Sequence, residues 1–174
     1  MKLLIVVDMQ NDFIDGSLGT AEAQAIVPYV KGRIADFDGR VVFTRDTHEE
    51  DTYPSTQEGR KLPVMHCVRG THGWHIREEL QAQRPEAPVI DKETFGARAL
   101  IDFLRGVCER DEIEQIEFLG LCTDICVISN VLLVKAYFPE IPLVVDARGC
   151  AGVTPESHAT ALSAMRACQV TVTE

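Results

Sequence analysis

A three-layer α/β fold, with a six-stranded and mostly parallel sheet between two layers of helices, is what this sequence predicts. Three observations carry that expectation. Short, continuous runs of aliphatic and β-branched residues recur six times, at residues 2–7, 41–44, 89–90, 116–121, 143–145 and 170–173. Unbroken apolar runs of this kind suit strands covered on both faces, as in parallel sheets. Between them lie stretches with helical spacing, so the pattern alternates β-α-β-α. The 174 residues show no internal repeat, low-complexity tract or linker, and a chain of that length buries about 70% of its unfolded surface around one core. A single domain spanning residues 1–174 is therefore expected.

Taken in order, the first apolar run ends at Asp8 after five residues. That is shorter than the roughly 7 to 15 apolar residues of a secretory leader or the about 20 of a membrane span. No longer run follows, so a cytoplasmic protein is expected. Ile26, Val30, Ile34 and Phe37 mark the first helix. The connection over residues 47–84 begins as a long polar stretch and turns helical only near residues 74–80. Long irregular loops in compact domains usually carry function. Leu100, Ile101, Leu104, Val107 and Cys108 share one face of another helix. Thr123 reads as an N-cap of an apolar helix running to Phe138, and Thr154 with Pro155 behind it as a second helix start. Gly149 and Gly152 punctuate the loop before it.

Composition narrows the partners. Seventeen Lys and Arg against twenty-seven Asp and Glu give a net charge of −10. Phosphate backbones and anionic membranes repel such a chain, so a small molecule is the expected partner, with neither nucleic acid nor membrane. The six cysteines are too few for a disulfide scaffold and contain no paired C-x-x-C element. Cys67, Cys108, Cys150 and Cys168 read as reduced packing residues.

Open parallel sheets bind ligands beyond the carboxyl ends of their strands. The residues at those ends are Asp8, Asp46 with His48, Lys92, Cys122 with Cys126, and Asp146. If Thr123 caps the helix, Cys126 occupies its first turn, where outward-pointing N–H groups favour a thiolate. A carboxylate beside a thiol can take its proton and return it to a leaving group, and a lysine beside both keeps the charges balanced. Asp8, Lys92 and Cys126 thus combine a base, an electrostatic partner and a nucleophile, provided that their strands are neighbours. The second constellation is Asp46-Thr47-His48 followed by Glu58 and His66. Imidazole and carboxylate suit zinc, iron or manganese. Scattered histidines and acids also occur as solvated polarity, and spacing alone leaves both readings open.

The stretches VVDMQNDF (residues 6–13), DKETFGA (from Asp91) and GLCTDICV (residues 120–127) resemble the isochorismatase-like cysteine hydrolases, which include the nicotinamidases. The resemblance spans nearly the whole chain with its motifs in order, and it implies a Rossmann-like sheet. It also implies that Cys126 attacks a carbonyl carbon, Asp8 serves as base and then acid, and Lys92 supports both. A cis peptide between Leu121 and Cys122 is implied as well, which would direct the backbone N–H groups of Cys122 and Cys126 at the developing oxyanion, the Cys122 thiol being incidental. Asp46, His48 and the His66-Cys67-Val68-Arg69-Gly70-Thr71 segment match the nicotinamidase metal-binding pattern, with Glu58 for the remaining position. In that arrangement the divalent metal, zinc first and iron or manganese next, holds the pyridine nitrogen of nicotinamide. Phe13, Phe95 and Leu121 are the implied substrate contacts. One departure stands out: nicotinamidases place an aromatic residue and two prolines before the second histidine, whereas this chain has Pro63-Val64-Met65. Phe13, Tyr53, Trp74 or Phe95 would have to supply the missing ring. Relatives often assemble as homo-oligomers.

The leading reading is hydrolysis of a small amide, nicotinamide to nicotinate, through a thioester. The alternative is another hydrolase of the family, acting on a ureido, carbamoyl or vinyl-ether substrate. Aspartate-based phosphoryl transfer needs a second acid two residues after Asp8, where this chain has Gln10. A non-catalytic metal- or ligand-binding module would not require every triad position to be filled. His72 and His75 read as loop polarity and His158 as a helix-surface residue.

Overall fold

The computed structural model describes residues 1–174. Strands β1 (Lys2–Val7), β2 (Arg40–Asp46), β3 (Val89–Lys92), β4 (Gln115–Leu121), β5 (Leu143–Ala151) and β6 (Thr171–Thr173) form one sheet in the order β3-β2-β1-β4-β5-β6. Every pairing is parallel, so the expected mostly parallel sheet is wholly so. The central strands are the ones whose sequence is unbroken in apolar character. Leu3 to Val7 of β1 are all fully buried, and so are Ile116, Phe118 and Leu119 of β4.

The helices are α1 (Asn11–Ile14), α2 (Ala21–Asp36), α3 (Gln57–Lys61), α4 (Glu78–Gln81), α5 (Arg98–Cys108), α6 (Ile128–Tyr137) and α7 (Pro155–Ala167). Right-handed crossovers send α2 and α4 to one face of the sheet and α5, α6 and α7 to the other. In agreement, α2 packs on α4, and α6 on α7. The caps explain the helix starts. Thr154 accepts from Ser157 N, Ser157 answers to the Thr154 backbone, and Pro155 sits at the first helical position, where its missing N–H costs nothing.

Four expectations need correction. Thr123 does not cap a helix. It opens a π-helical turn, Thr123–Val127, whose N-cap is Cys122, and α6 continues from Ile128. Thr123 is fully buried, and its hydroxyl bonds to His158 Nδ1 at 2.7 Å, so it could not turn back to the backbone. Asp146 lies within β5, which extends well past residue 145. Its side chain is buried and accepts from Tyr29 of α2 at 2.6 Å, away from the strand end. The stretch 74–80 is helical only from Glu78, while a 3₁₀ turn, Tyr53–Ser55, and α3 fill the supposedly structureless part of the loop. Finally, Cys108 and Cys168 are exposed; only Cys67 and Cys150 of that group are buried.

The strand order reverses between β1 and β4, the adjacent central strands, β2 and β3 being added on one side and β5 and β6 on the other, and ligand crevices open at such a point. Gly120 makes the close approach of these strands workable. Its φ is +124°, and a Cβ there would lie 2.1 Å from the Val7 carbonyl oxygen. Gly120→Ala is expected to destabilise the fold by about 3 kcal/mol or more, because strain and backbone overlap act together. Thermal unfolding checks this; a midpoint within a degree or two of the parent would show that the strands can separate to admit a methyl group.

Candidate active site and metal centre

Three strand ends converge. Lys92 Nζ, at the end of β3, lies 2.7 Å from Asp8 Oδ2, just past β1, and 2.9 Å from Asp46 Oδ1 at the end of β2. The same amine lies 3.4 Å from Cys126 Sγ in the π turn after β4. All four groups are buried. Asp8 takes up a left-handed backbone conformation with φ 47°, which costs a non-glycine residue about 1 to 3 kcal/mol and persists only where surroundings enforce it. Here its N–H reaches Thr44 O at 3.3 Å, and the Thr44 hydroxyl donates to Asp8 Oδ1 at 2.6 Å.

The charges at this point follow from burial and proximity. Burial raises the Asp8 pKa, with Asp46 adding to the rise against Lys92, which makes the carboxylate a stronger base. Burial would lower that of Lys92, but Asp8, Cys126 and Asp46 outweigh it and hold the amine firmly protonated. Burial pushes the Cys126 thiol well above its ordinary range despite Lys92, and Asp8 and Asp46 push it further. The rise opposes the preference for a thiolate that a first-turn position gives: the sulfur is desolvated and faces two carboxylates with only one cation to offset them. Its proton needs an acceptor, and the Asp8 carboxylate, which shares the Lys92 amine with the sulfur, is the base at hand. The Leu121–Cys122 bond is cis. The Cys122 thiol is half-buried and pushed up to about 12, chiefly by burial.

The second constellation also closes. One ligand atom each from Asp46, His48, Glu58 and His66 lies within 4.8 Å of the others. His48 Nε2 is 3.0 Å from Asp46 Oδ2 and 3.7 Å from Glu58 Oε1, and His66 Nε2 is 3.6 Å from that Glu58 oxygen. His48 Nε2 is buried and has no hydrogen-bond partner. An orphaned imidazole nitrogen aimed into two carboxylates and a second imidazole fits a divalent cation of the zinc type. His66 Nδ1 is 2.8 Å from the Val64 carbonyl, so the Nδ1–H is spoken for and the Nε2 lone pair faces the cluster. Asp46 belongs to both groups: one oxygen faces Lys92 and the other His48.

Glu58 reaches the cluster because the loop is folded. The Thr56 hydroxyl accepts from Gly59 N at 2.9 Å and donates to Tyr53 O at 2.7 Å. A Cβ on Gly59 would lie 2.0 Å from that carbonyl. The Tyr53 ring is 4.6 Å from that of His48 and 5.2 Å from that of His66, while Phe13 lies 5.6 Å from His66. Two rings thus border the histidines although none directly precedes His66. Phe95 stands in the loop after Lys92 and is 43% exposed, whereas Leu121 is buried at the end of β4. Trp74 anchors the loop, its indole N–H donating to Thr47 Oγ1 at 2.9 Å.

Several residues that hold this site were not singled out from the sequence. The fully buried carboxamide of Gln10 donates to Asp46 O and Trp74 O, each at 2.8 Å, and accepts from Asp46 N at 2.7 Å. Asp12 accepts from Cys67 N at 2.7 Å, pinning the residue after His66 in its own left-handed conformation, φ 47°. Asn130 donates to Cys126 O at 2.8 Å and Phe95 O at 3.0 Å and accepts from Ala97 N at 2.8 Å. The signals were faint: Thr44 precedes Asp46 by two, the spacing that shares a strand face, and Asn130 follows Cys126 by four, one helical turn. His158 is not a plain surface residue, since it holds Thr123 at the start of the π turn. His72 and His75 are exposed, as expected.

This doubly wound sheet, with a buried Cys-Asp-Lys cluster across its switch point and a His/Asp/Glu cluster beside it, defines a cysteine-hydrolase-like α/β protein. The isochorismatase domain family model matches residues 2–174, and the chain belongs to that family. It is 34% identical to the uncharacterized isochorismatase family protein PncA of Bacillus subtilis (strain 168), covering 93% of this chain and 92% of the relative. Among solved structures it is similar to the nicotinamidase PncA from Bacillus subtilis, with TM-score 0.85, 27% identity and 99% of each chain covered. It is also similar to the pyrazinamidase of Pyrococcus horikoshii in complex with zinc, with TM-score 0.81, 27% identity, and 99% of this chain and 98% of that one covered.

Proposed function

We propose that residues 1–174 form a single hydrolase domain that converts nicotinamide to nicotinate and ammonia, with Cys126 as nucleophile, Asp8 as base and acid, and Lys92 as their electrostatic partner. The observation that carries this reading is the meeting of Lys92 Nζ with both Asp8 Oδ2 and Cys126 Sγ, at 2.7 and 3.4 Å, with all three side chains buried. The similarity to a nicotinamidase directs it toward this amide.

The chemistry follows from the groups present. Asp8 takes the thiol proton as Cys126 Sγ attacks the carboxamide carbon, and the amide oxygen takes up the negative charge. Backbone N–H groups of Cys122 and Cys126 receive that oxyanion; one such donor is typically worth about 10² to 10³ in rate. Asp8 then protonates the amide nitrogen, the C–N bond breaks, ammonia leaves and a thioester remains. Asp8 takes a proton from water as the water attacks the thioester. The C–S bond breaks, the proton on Asp8 returns to sulfur, and the carboxylic acid departs, giving its remaining proton to water or to the released ammonia. Lys92 stays protonated throughout and offsets the negative charge that alternates between sulfur and Asp8.

Asp46, His48, Glu58 and His66 would hold a divalent ion, zinc by likeness to the Pyrococcus horikoshii structure, and when bound it supplies a Lewis-acidic anchor for the pyridine ring nitrogen. Phe13, Leu121 and Phe95 are the proposed contacts around the ring. No helix is long and apolar enough to cross a membrane.

Ammonia release from a panel of nicotinamide, pyrazinamide, benzamide and a carbamoyl amine tests the reading. Nicotinamide and pyrazinamide should turn over and benzamide, which lacks a ring nitrogen, should do so poorly. Preference for the carbamoyl amine would move the chain to the ureido-hydrolysing branch.

A further inference from the structure

We propose that Arg45 and Asp91, with Trp74 and Arg69, form a positioning device on the far side of the β2–β3 pair that sets where Lys92 meets Cys126. The proposal rests on the triad chemistry above, but it concerns residues that do not touch the reacting groups.

The need for such a device follows from β3 itself. It has four residues, lies at the edge of the sheet, bonds only to β2, and buries only Lys92. Because side chains alternate across a sheet, a slip of one residue would carry Lys92 out of the pocket and Asp91 into it. The register pairs Arg45 with Asp91 and Asp46 with Lys92. Both rungs join opposite charges: Arg45 Nε lies 2.7 Å from Asp91 Oδ1 on one face, and Lys92 Nζ 2.9 Å from Asp46 Oδ1 on the other. A slip would set Arg45 against Lys92 or Asp46 against Asp91. Like charges directly opposite are unfavourable, so the dipeptides Arg45-Asp46 and Asp91-Lys92 accept only the register that fills the pocket.

The outer rung is itself braced. The Arg45 guanidinium stacks 3.4 Å from the Trp74 ring centroid, and Trp74 donates to Thr47 Oγ1 at 2.9 Å. Thr47 N donates to Lys92 O at 2.8 Å. Arg69 Nη1 reaches the second Asp91 oxygen at 3.3 Å, Arg69 Nε reaches Glu49 Oε1 at 2.7 Å, and Arg69 N donates to His48 O at 2.9 Å. Arg45, Thr47, Glu49 and Asp91, all sequence neighbours of Asp46, His48 or Lys92, are therefore each held by another side chain. The side chains of Arg45 and Asp91 are 19% and 33% exposed, so solvent screens part of what the pair contributes to overall stability. Its effect falls on geometry, where displacement of a supporting group by about 1 Å can cost 10²-fold in rate.

The test compares Arg45→Gln, Asp91→Asn, the double variant and Arg45→Lys in the metal-loaded protein. With nicotinamide, each single variant should lose about tenfold in kcat with KM and metal content unchanged. The double should lose clearly less than the product of the two singles, since the Arg45–Asp91 contact is common to both, and Arg45→Lys should recover most of the loss. Iodoacetamide labelling of Cys126 at fixed pH, followed by peptide mass, supplies a readout independent of amide turnover. It should slow about fivefold in the same variants, as a displaced ammonium stabilises less thiolate. Slower labelling in variants of a protein that does not hydrolyse nicotinamide would support the positioning role while refuting the proposed function. Unchanged kcat and unchanged or faster labelling in folded variants would overturn the positioning role, whatever their melting temperatures.

Discussion

Cys126→Ala is expected to reduce ammonia release from nicotinamide by about 10⁴-fold or more, the scale on which removing a nucleophile from a preorganised site acts. The fold should survive, because the change deletes one buried sulfur and leaves Lys92 with both of its carboxylate partners. Metal content should also survive, since Cys126 is not one of the four clustered ligand groups. The proper comparison is Cys122→Ser, whose side chain is proposed to have no role and whose backbone N–H is retained. It should remain within a few-fold of the parent, in the range of an ordinary conservative change. Turnover measured on both variants beside thermal unfolding decides the matter. If Cys126→Ala keeps a tenth of the activity while Cys122→Ser loses it, the nucleophile has been placed on the wrong sulfur.

Asp46→Asn should produce the second largest effect, because this side chain faces both groups of the site. It should lose the bound divalent ion and lower kcat by about 10² to 10³, since ligand loss and a displaced lysine act together. Glu58→Gln separates the two contributions. It weakens the metal cluster but leaves the Asp46–Lys92 contact intact, so its kcat at saturating metal should recover further than that of Asp46→Asn. Metal analysis by mass spectrometry and kcat over a zinc titration provide the check; equal recovery in the two variants would show that the Lys92 contact contributes nothing. The charge state is set in advance. Burial would raise the Asp46 pKa, yet Lys92 and His48 outweigh it and hold it at about 2, below the ordinary 3.8. The stabilisation from this carboxylate is therefore complete above about pH 4 and is lost as the pH falls through 2. Asn mimics the protonated form that the native site avoids.

How much of this was legible in the chain depends on the range of each signal. The strands of the centre could be read because burial on both faces leaves an unbroken apolar run, as in Leu3 to Val7. The strand-ending Asp8, Asp46 and Lys92 were legible for a related reason, since a charge that terminates such a run must lie at the sheet edge. The segment from Tyr53 to Lys61 was read as irregular. Its helix is five residues long and is held by a hydroxyl bridge and one glycine, which leave no periodicity to detect. Thr123 misled because a threonine before an apolar stretch usually caps a helix, and only the packing of α7 shows that its hydroxyl is already taken by His158. The surroundings of Cys126 were equally out of reach: position in a first turn argues for a thiolate, but the burial of the sulfur and the carboxylates around it, which push its pKa up, are tertiary quantities.

By itself, the chain determined the alternation of strands and helices and the residue types available at the sheet edge, because both follow from local patterns of apolar and charged side chains. Only the tertiary structure decided which of those residues meet, that Asp46 faces the lysine and the cluster of His48, Glu58 and His66 together, and that Gln10, Thr44 and Asn130 hold the arrangement. The physical reason is distance along the chain. Thirty-four residues separate Lys92 from Cys126 and thirty-six separate Asp8 from Thr44, and no local preference encodes a contact that depends on strand order and on a register of one residue.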